Sequence, residues 1–155
     1  MSTNKKYLFK EKQIFYWALI PVIFTLVLIN IFYFFQIGSK KMNFTNYLLL
    51  SSLFLIILLL FYCLNIIISK NYISFSFGIG IFKKKILLNN IELNNIQYIN
   101  IPMKYGIGLR YSKKGVIYNT KPGKGIILHL KKSKTNYIIV SNKINEIKTL
   151  LQIKK

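Results

Sequence analysis

Aspartate is missing from this sequence altogether, and the only carboxylates are Glu11, Glu92 and Glu146, far apart along the chain. General acid/base pairs and carboxylate metal cages need at least two convergent oxygens, so neither is expected. Histidine occurs once, as His129, and leaves no Ser–His–Asp or Cys–His constellation to assemble. Cysteine occurs once too, as Cys63, which rules out an intrachain disulfide and a cysteine zinc site. Glycine pairs recur at Gly78-x-Gly80, Gly106-x-Gly108 and Gly123-x-Gly125. None continues as GK[ST] or leads into a helix that would receive a phosphate, so they read as turn glycines. The expectation is a protein that is not an enzyme and carries no cofactor and no metal.

The shortage of acids leaves a strongly basic chain: 23 Lys and Arg against 3 acids, a formal charge of +20. Abundant Lys, Ile and Asn match the codon usage of an AT-rich genome, but that bias would supply Glu as readily as Lys. The missing acids therefore point to an anionic surface or to the orientation of membrane spans.

Two long apolar runs lie before residue 70. Tyr47–Ser69 has no charged residue, and at ~1.5 Å per helical residue its roughly two dozen positions exceed a ~30 Å hydrocarbon slab. Ile14–Ile37 is likewise uncharged, too long for a signal-peptide core of ~7–15 residues, and followed by no small-x-small cleavage site. Tyr16, Trp17 and Tyr33 sit near its ends, where interfacial aromatics belong, and Pro21 lies in its first two turns. Gly38–Asn46 allows only a tight connection, so the reading is an antiparallel helical hairpin, with helices about 14–37 and 47–69, forming an anchor over residues 1–70. Met1–Gln13 reads as a short polar start. Lys5, Lys6, Lys10 and Lys12 precede the first run, Lys70 and Lys83–Lys85 follow the second, and only Lys40 and Lys41 lie between. The positive-inside rule then places both termini in the cytoplasm. Asn30, Asn65, Ser51 and Ser52 read as interhelical hydrogen-bonding positions, with no ionisable group to form a proton or ion route.

After residue 70 the texture changes to alternation. Tyr72–Phe77 puts Ile73, Phe75 and Phe77 on one face, Gly78–Gly80 marks a turn, and Ile81–Leu88 returns. Ile91–Ile101 reads as a turn and a strand. Gly106–Tyr111 with Val116–Asn119, and Gly125–Lys131 with Tyr137–Val140, read as two further hairpins. Ile144, Ile147, Leu150 and Leu151 form a helical stripe in Asn142–Ile153, with Ser141 or Asn142 as its cap. Six or seven short strands closed by one amphipathic helix predict a small barrel with a helical lid over residues 71–155.

The segments Gly106-Ile-Gly-Leu-Arg110-Tyr, Gly115-Val-Ile-Tyr118-Asn119 and Gly125-Ile-Ile-Leu-His-Leu, with the upstream Ile81–Ile96, resemble a bacterial membrane-anchored family of pleckstrin-homology-like (PH-like) domains. The similarity covers about residues 72–153. Two departures stand out: Ile107 occupies a place where an aromatic is expected, and the glycine after Tyr118-Asn119 is displaced into Lys121–Gly125. The resemblance implies a PH-like β-barrel with a C-terminal amphipathic helix, to which the hairpin anchor is a variable attachment. With the two apolar runs, the expectation is a membrane α+β protein in the bacterial inner membrane, a two-helix transmembrane hairpin followed by that barrel.

Together these readings give a non-catalytic multi-pass protein that docks to anionic lipid head groups, to a membrane-protein partner or to a second copy of itself, with no role for nucleic acid. Lys83, Lys84 and Lys85 are the electrostatic candidates. Arg110, Tyr118 and Asn119 are the contact candidates that the resemblance passes through. The alternatives are a bacteriocin- or toxin-immunity or envelope-stress membrane protein, and a non-catalytic anchor subunit of a membrane enzyme complex.

Overall fold

A computed structural model describes residues 7–38 and 41–153; Lys5, Lys6 and Lys40 lie outside the described residues. Strand β1 (Phe9–Ile14) comes first, followed by helix α1 (Tyr16–Phe34), helix α2 (Phe44–Phe61) and strand β2 (Cys63–Ile68). β1 and β2 pair antiparallel along their full length, Phe9 opposite Ile68 and Ile14 opposite Cys63. The two helices are thus an insertion at the tip of a β-hairpin.

This corrects three expectations. Lys10–Gln13 is not a polar tail but part of a strand, and the second helix ends at Phe61 instead of Ser69. The boundary at residue 70 therefore falls between two strands of one sheet. The reason lies in the side chains: after a leucine-rich stretch the chain turns to Ile66-Ile67-Ile68, and β-branched residues favour the extended backbone. Apolar content by itself does not separate a buried strand from a continuing helix.

Both helices are long and apolar enough to cross a membrane; at ~1.5 Å per residue they measure about 27–29 Å. Ile29 is the one buried residue of α1, and α2 has none. The helix continues through Pro21. At the hairpin tip Asn43 caps α2 by accepting the Asn46 N–H at 2.8 Å. The Tyr33 and Tyr47 rings stack at 4.1 Å. The Tyr47 hydroxyl donates to Asn30 Oδ1 at 3.1 Å while Asn30 Nδ2 donates to the Leu26 carbonyl at 2.7 Å. Asn30 therefore does link the helices, whereas Asn65 lies in β2 and donates to Cys63 Sγ.

The first sheet has the order β1-β2-β3-β4, all antiparallel, with β3 spanning Tyr72–Phe77 and β4 spanning Lys83–Leu87. The second contains β5 (Gln97–Ile101), β6 (Gly108–Ser112), β7 (Gly115–Asn119), β8 (Gly123–Leu130) and β9 (Ser133–Val140), in the order β5-β8-β9-β7-β6. β7 and β9 run parallel and the other pairs antiparallel. The fold is α+β. Neither sheet closes on itself, so the expected barrel is replaced by two open sheets enclosing a shared core, and Ile101, Ile117, Ile138 and Val140 of the second sheet form a smaller buried cluster of their own. Phe75 packs against Tyr118 and Tyr137 across the sheets, at ring distances of 4.6 and 5.9 Å, and Phe77 stacks on Tyr118 at 5.9 Å. Helix α3 (Ile144–Gln152) lays Ile144, Ile147 and Leu151 into the same core, and Ser141 Oγ accepts the Lys143 N–H at its start. The strict alternation of β3 and the stripe of α3 are therefore both core faces.

Candidate interface at the foot of the helical hairpin

One residue joins each helix to its strand: Phe15 between β1 and α1, and Tyr62 between α2 and β2. The Phe15 N–H donates to the Tyr62 carbonyl at 3.0 Å, locking the two joints together. Phe15 is buried, with its ring 6.2 Å from that of Phe77. No linker lets the sheets swing away from the helices, so whatever surrounds the helix ends also touches the strands nearest to them.

The β3–β4 turn strengthens this joint. The Gly78 N–H donates to the Cys63 carbonyl at 2.8 Å, and the Ile79 N–H donates to the Leu59 carbonyl in the last turn of α2 at 3.1 Å. Helix ends leave carbonyls without intrahelical partners, and here the turn supplies a donor. Gly78 has φ of +50°, and a Cβ there would lie 2.2 Å from the Leu59 carbonyl oxygen. A side chain is incompatible with that approach. Phe82 stacks on Phe61 at 5.4 Å.

Strand register then lays polar side chains in rungs across the outer face of the first sheet. Lys12, Asn65, Ser76 and Lys83 are consecutive partners, and so are Lys10, Ile67, Ser74 and Lys85. Each rung is about 14 Å wide, given ~4.8 Å between strands. The Lys12–Lys83 rung is the one nearer the helices, and all four lysines are exposed. Lys12 Nζ lies 5.0 Å from the Tyr62 ring centroid and Lys85 Nζ 4.0 Å from that of Tyr72.

The expected trio Lys83–Lys85 is not a single patch, because successive strand residues face opposite ways. Lys84 pairs with Phe75 on the inner side, and its ammonium lies 5.1 Å from the Tyr137 ring centroid. Lys12 and Lys10, at the far ends of the rungs that carry Lys83 and Lys85, were missed. The signal available was the alternation Phe9-Lys10-Glu11-Lys12-Gln13.

Tyr118 and Asn119 sit inside the domain and do not reach a partner from there. Tyr118 is 6% exposed, and burial, followed by the neighbouring Tyr137 and Tyr111, pushes its phenol up to about 12. Asn119 is fully buried. Its Oδ1 accepts the Gly108 N–H at 3.0 Å, and its Nδ2 donates to the carbonyls of Gly106 at 3.1 Å and Lys121 at 3.3 Å. It holds the loop before β6 in place. Arg110 is exposed, with Nε donating to the Ile107 carbonyl at 3.2 Å.

A second polar group ties β1 to the other sheet. Gln13 is 7% exposed, donates to Glu11 and to the Val140 carbonyl, and accepts from Thr120 Oγ1 at 2.9 Å; Ser141 Oγ donates to Glu11. This arrangement satisfies polar atoms between the sheets. Glu92 accepts from Asn95, and Glu146 lies 4.0 Å from Lys143, so the three carboxylates stand in three separate places. His129 Nδ1 faces Asn136 Oδ1 at 3.1 Å. Among the described residues no three His, Cys, Asp or Glu side chains come together as a metal site.

The structure defines an α+β protein in which two exposed apolar helices are built into the edge hairpin of a basic two-sheet domain. No family model matches the chain, and no match was found among curated proteins or solved structures.

Proposed function

We propose that this chain is a non-catalytic integral membrane protein whose hairpin spans a bacterial inner membrane and holds the domain against anionic lipid head groups. The observation that carries this reading is the pair of single-residue joints between exposed apolar helices and a lysine-bordered sheet. With the helices in lipid, β1 and β2 emerge on the same side, and both ends of the chain follow. The lysines outside the hairpin favour the cytoplasmic side. The rung Lys12–Lys83 then lies close to the phosphate level, where each lysine contributes about 1 kcal/mol toward an anionic surface.

The test uses the full chain, because a fragment beginning at residue 70 would lack two of the four strands of the first sheet. The protein is reconstituted into vesicles containing spin-labelled phosphatidylglycerol or phosphatidylcholine, and the lipid immobilised around it is measured. Enrichment of phosphatidylglycerol that weakens with salt is expected, together with its loss in the triple variant K12E/K83E/K85E. Equal partition of the two lipids around the unaltered protein would refute the electrostatic docking. A chain that stays in solution without detergent would refute the anchor itself.

A further inference from the structure

We infer that the β3–β4 turn, Gly78–Phe82, is a third membrane-contacting element that dips into the same leaflet as the foot of α2. The inference rests on the hairpin being a membrane anchor, and goes beyond it by assigning a lipid contact to a segment of the sheet domain.

Depth is set by a hydrogen bond. The Ile79 N–H reaches the Leu59 carbonyl, two residues before the last residue of α2. At ~1.5 Å per residue, the turn therefore lies about 3 Å inside the end of the span, not beyond it. Leu59 is itself 42% exposed, so its surroundings are those of the helix surface. If α2 is in lipid, the turn bonded to its last helical turn is level with lipid too.

The side chains fit that level. Ile79 is 60% exposed, Ile81 66% and Phe82 37%, while neighbouring apolar residues of the sheet, Ile73, Phe75 and Phe77, are fully buried. A turn in water would ordinarily be polar, yet no charged residue occurs between Lys70 and Lys83. Gly80 has open space around its missing side chain and φ of +98°, so the tip is shaped by backbone conformation and carries no side chain there. Lys83 follows immediately, exposed, on the rung that faces the head groups. A long side chain whose charge reaches water beside a buried stem is the usual companion of an interfacial apolar segment. Lipid is favoured over an apolar protein partner as the occupant because the turn is hydrogen-bonded to the end of α2, itself long and apolar enough to cross a membrane.

Trp17 is the sole tryptophan, so replacing it by Phe gives a silent background for the full chain in phosphatidylglycerol-containing vesicles. Single tryptophans are then placed by Ile79→Trp and Ile81→Trp in the turn, Leu55→Trp within α2, and Lys132→Trp in the β8–β9 turn at the opposite end of the sheets. Lipids brominated on their acyl chains report contact with the bilayer, and aqueous iodide reports contact with water. Expected are blue-shifted emission and its loss to brominated lipid for Ile79→Trp, Ile81→Trp and Leu55→Trp, with Lys132→Trp quenched by iodide alone. If both turn variants behave like Lys132→Trp while Leu55→Trp is quenched by lipid, the turn proposal is overturned and the anchor stands. If Leu55→Trp is also untouched by brominated lipid, the anchor reading fails and the turn proposal falls with it. A variant that loses its fold is recognised by its circular dichroism, and the other turn position then decides.

Discussion

The helical hairpin and the two-sheet domain are both rich in Leu, Ile and Phe, yet they dispose of these residues in opposite ways. In the domain, Leu64, Ile66, Phe75, Ile126 and Ile139 lose all contact with solvent. In the hairpin, Leu49, Leu53, Leu55 and Ile56 each stay more than half exposed, and α2 buries no residue at all. Large apolar patches of that kind are unfavourable in water and mark a surface that meets lipid or protein. The two regions therefore differ in how much of their apolar surface the fold buries, and a single residue at each joint separates one from the other.

The sharpest way to break that contrast is to truncate one apolar side chain in each region. Phe75→Ala empties a site filled between Tyr118 and Tyr137 and should destabilise the domain by about 3–5 kcal/mol. Leu55→Ala, on the exposed face of α2, should cost no more than about 0.5 kcal/mol, since detergent tails fill the space. Denaturant unfolding of the detergent-solubilised chain measures both, and comparable losses would mean that the helices have a protein-packed core of their own.

Polar groups sharpen the same comparison. Asn119→Ala strands the Gly108 N–H and two carbonyls inside the domain and is expected to lose about 1–3 kcal/mol in the same unfolding experiment. Asn119→Asp should not rescue it, because a carboxylate accepts from Gly108 but has nothing to donate to Gly106 and Lys121. An Asp variant as stable as the unaltered protein would sink that account of the loop. The smallest effect belongs to the hairpin: Tyr47→Phe removes its hydrogen bond to Asn30 at a cost of about 0.6 kcal/mol. Helix–helix association in micelles reads it out, and a loss as large as that of Asn119→Ala would show that the hairpin depends on its polar contacts as the domain does.

Local periodicity made much of the fold legible. The alternation in Tyr72–Phe77, the paired segments around Ser112–Gly115 and the stripe Ile144–Ile147–Leu151 each carry their own core face, and each forms the element that its pattern predicts. Cys63–Ile68 was harder to read because an uncharged, mostly apolar strand beside an apolar helix is marked off from it chiefly by branching at Cβ in Ile66–Ile68. The basic surface was half legible. Lys83 and Lys85 are recognisable as charges, but Lys12 and Lys10, at the other ends of their rungs, lie some seventy residues earlier in the chain. Tyr118 and Asn119 show the reverse: a motif that looks available in the sequence is taken up by core packing and loop closure.

The order of residues alone determined that two segments are long and apolar enough to cross a membrane, that much of the remainder alternates into strands, and that carboxylates number only three. These are properties of neighbouring side chains and need no partner to be expressed. Which strands share a sheet, that the helices interrupt a β-hairpin, and which lysines share a face of the sheet were decided by tertiary structure. Register is set by hydrogen bonds between backbones distant in the chain, and it is the register that turns scattered charges into a surface.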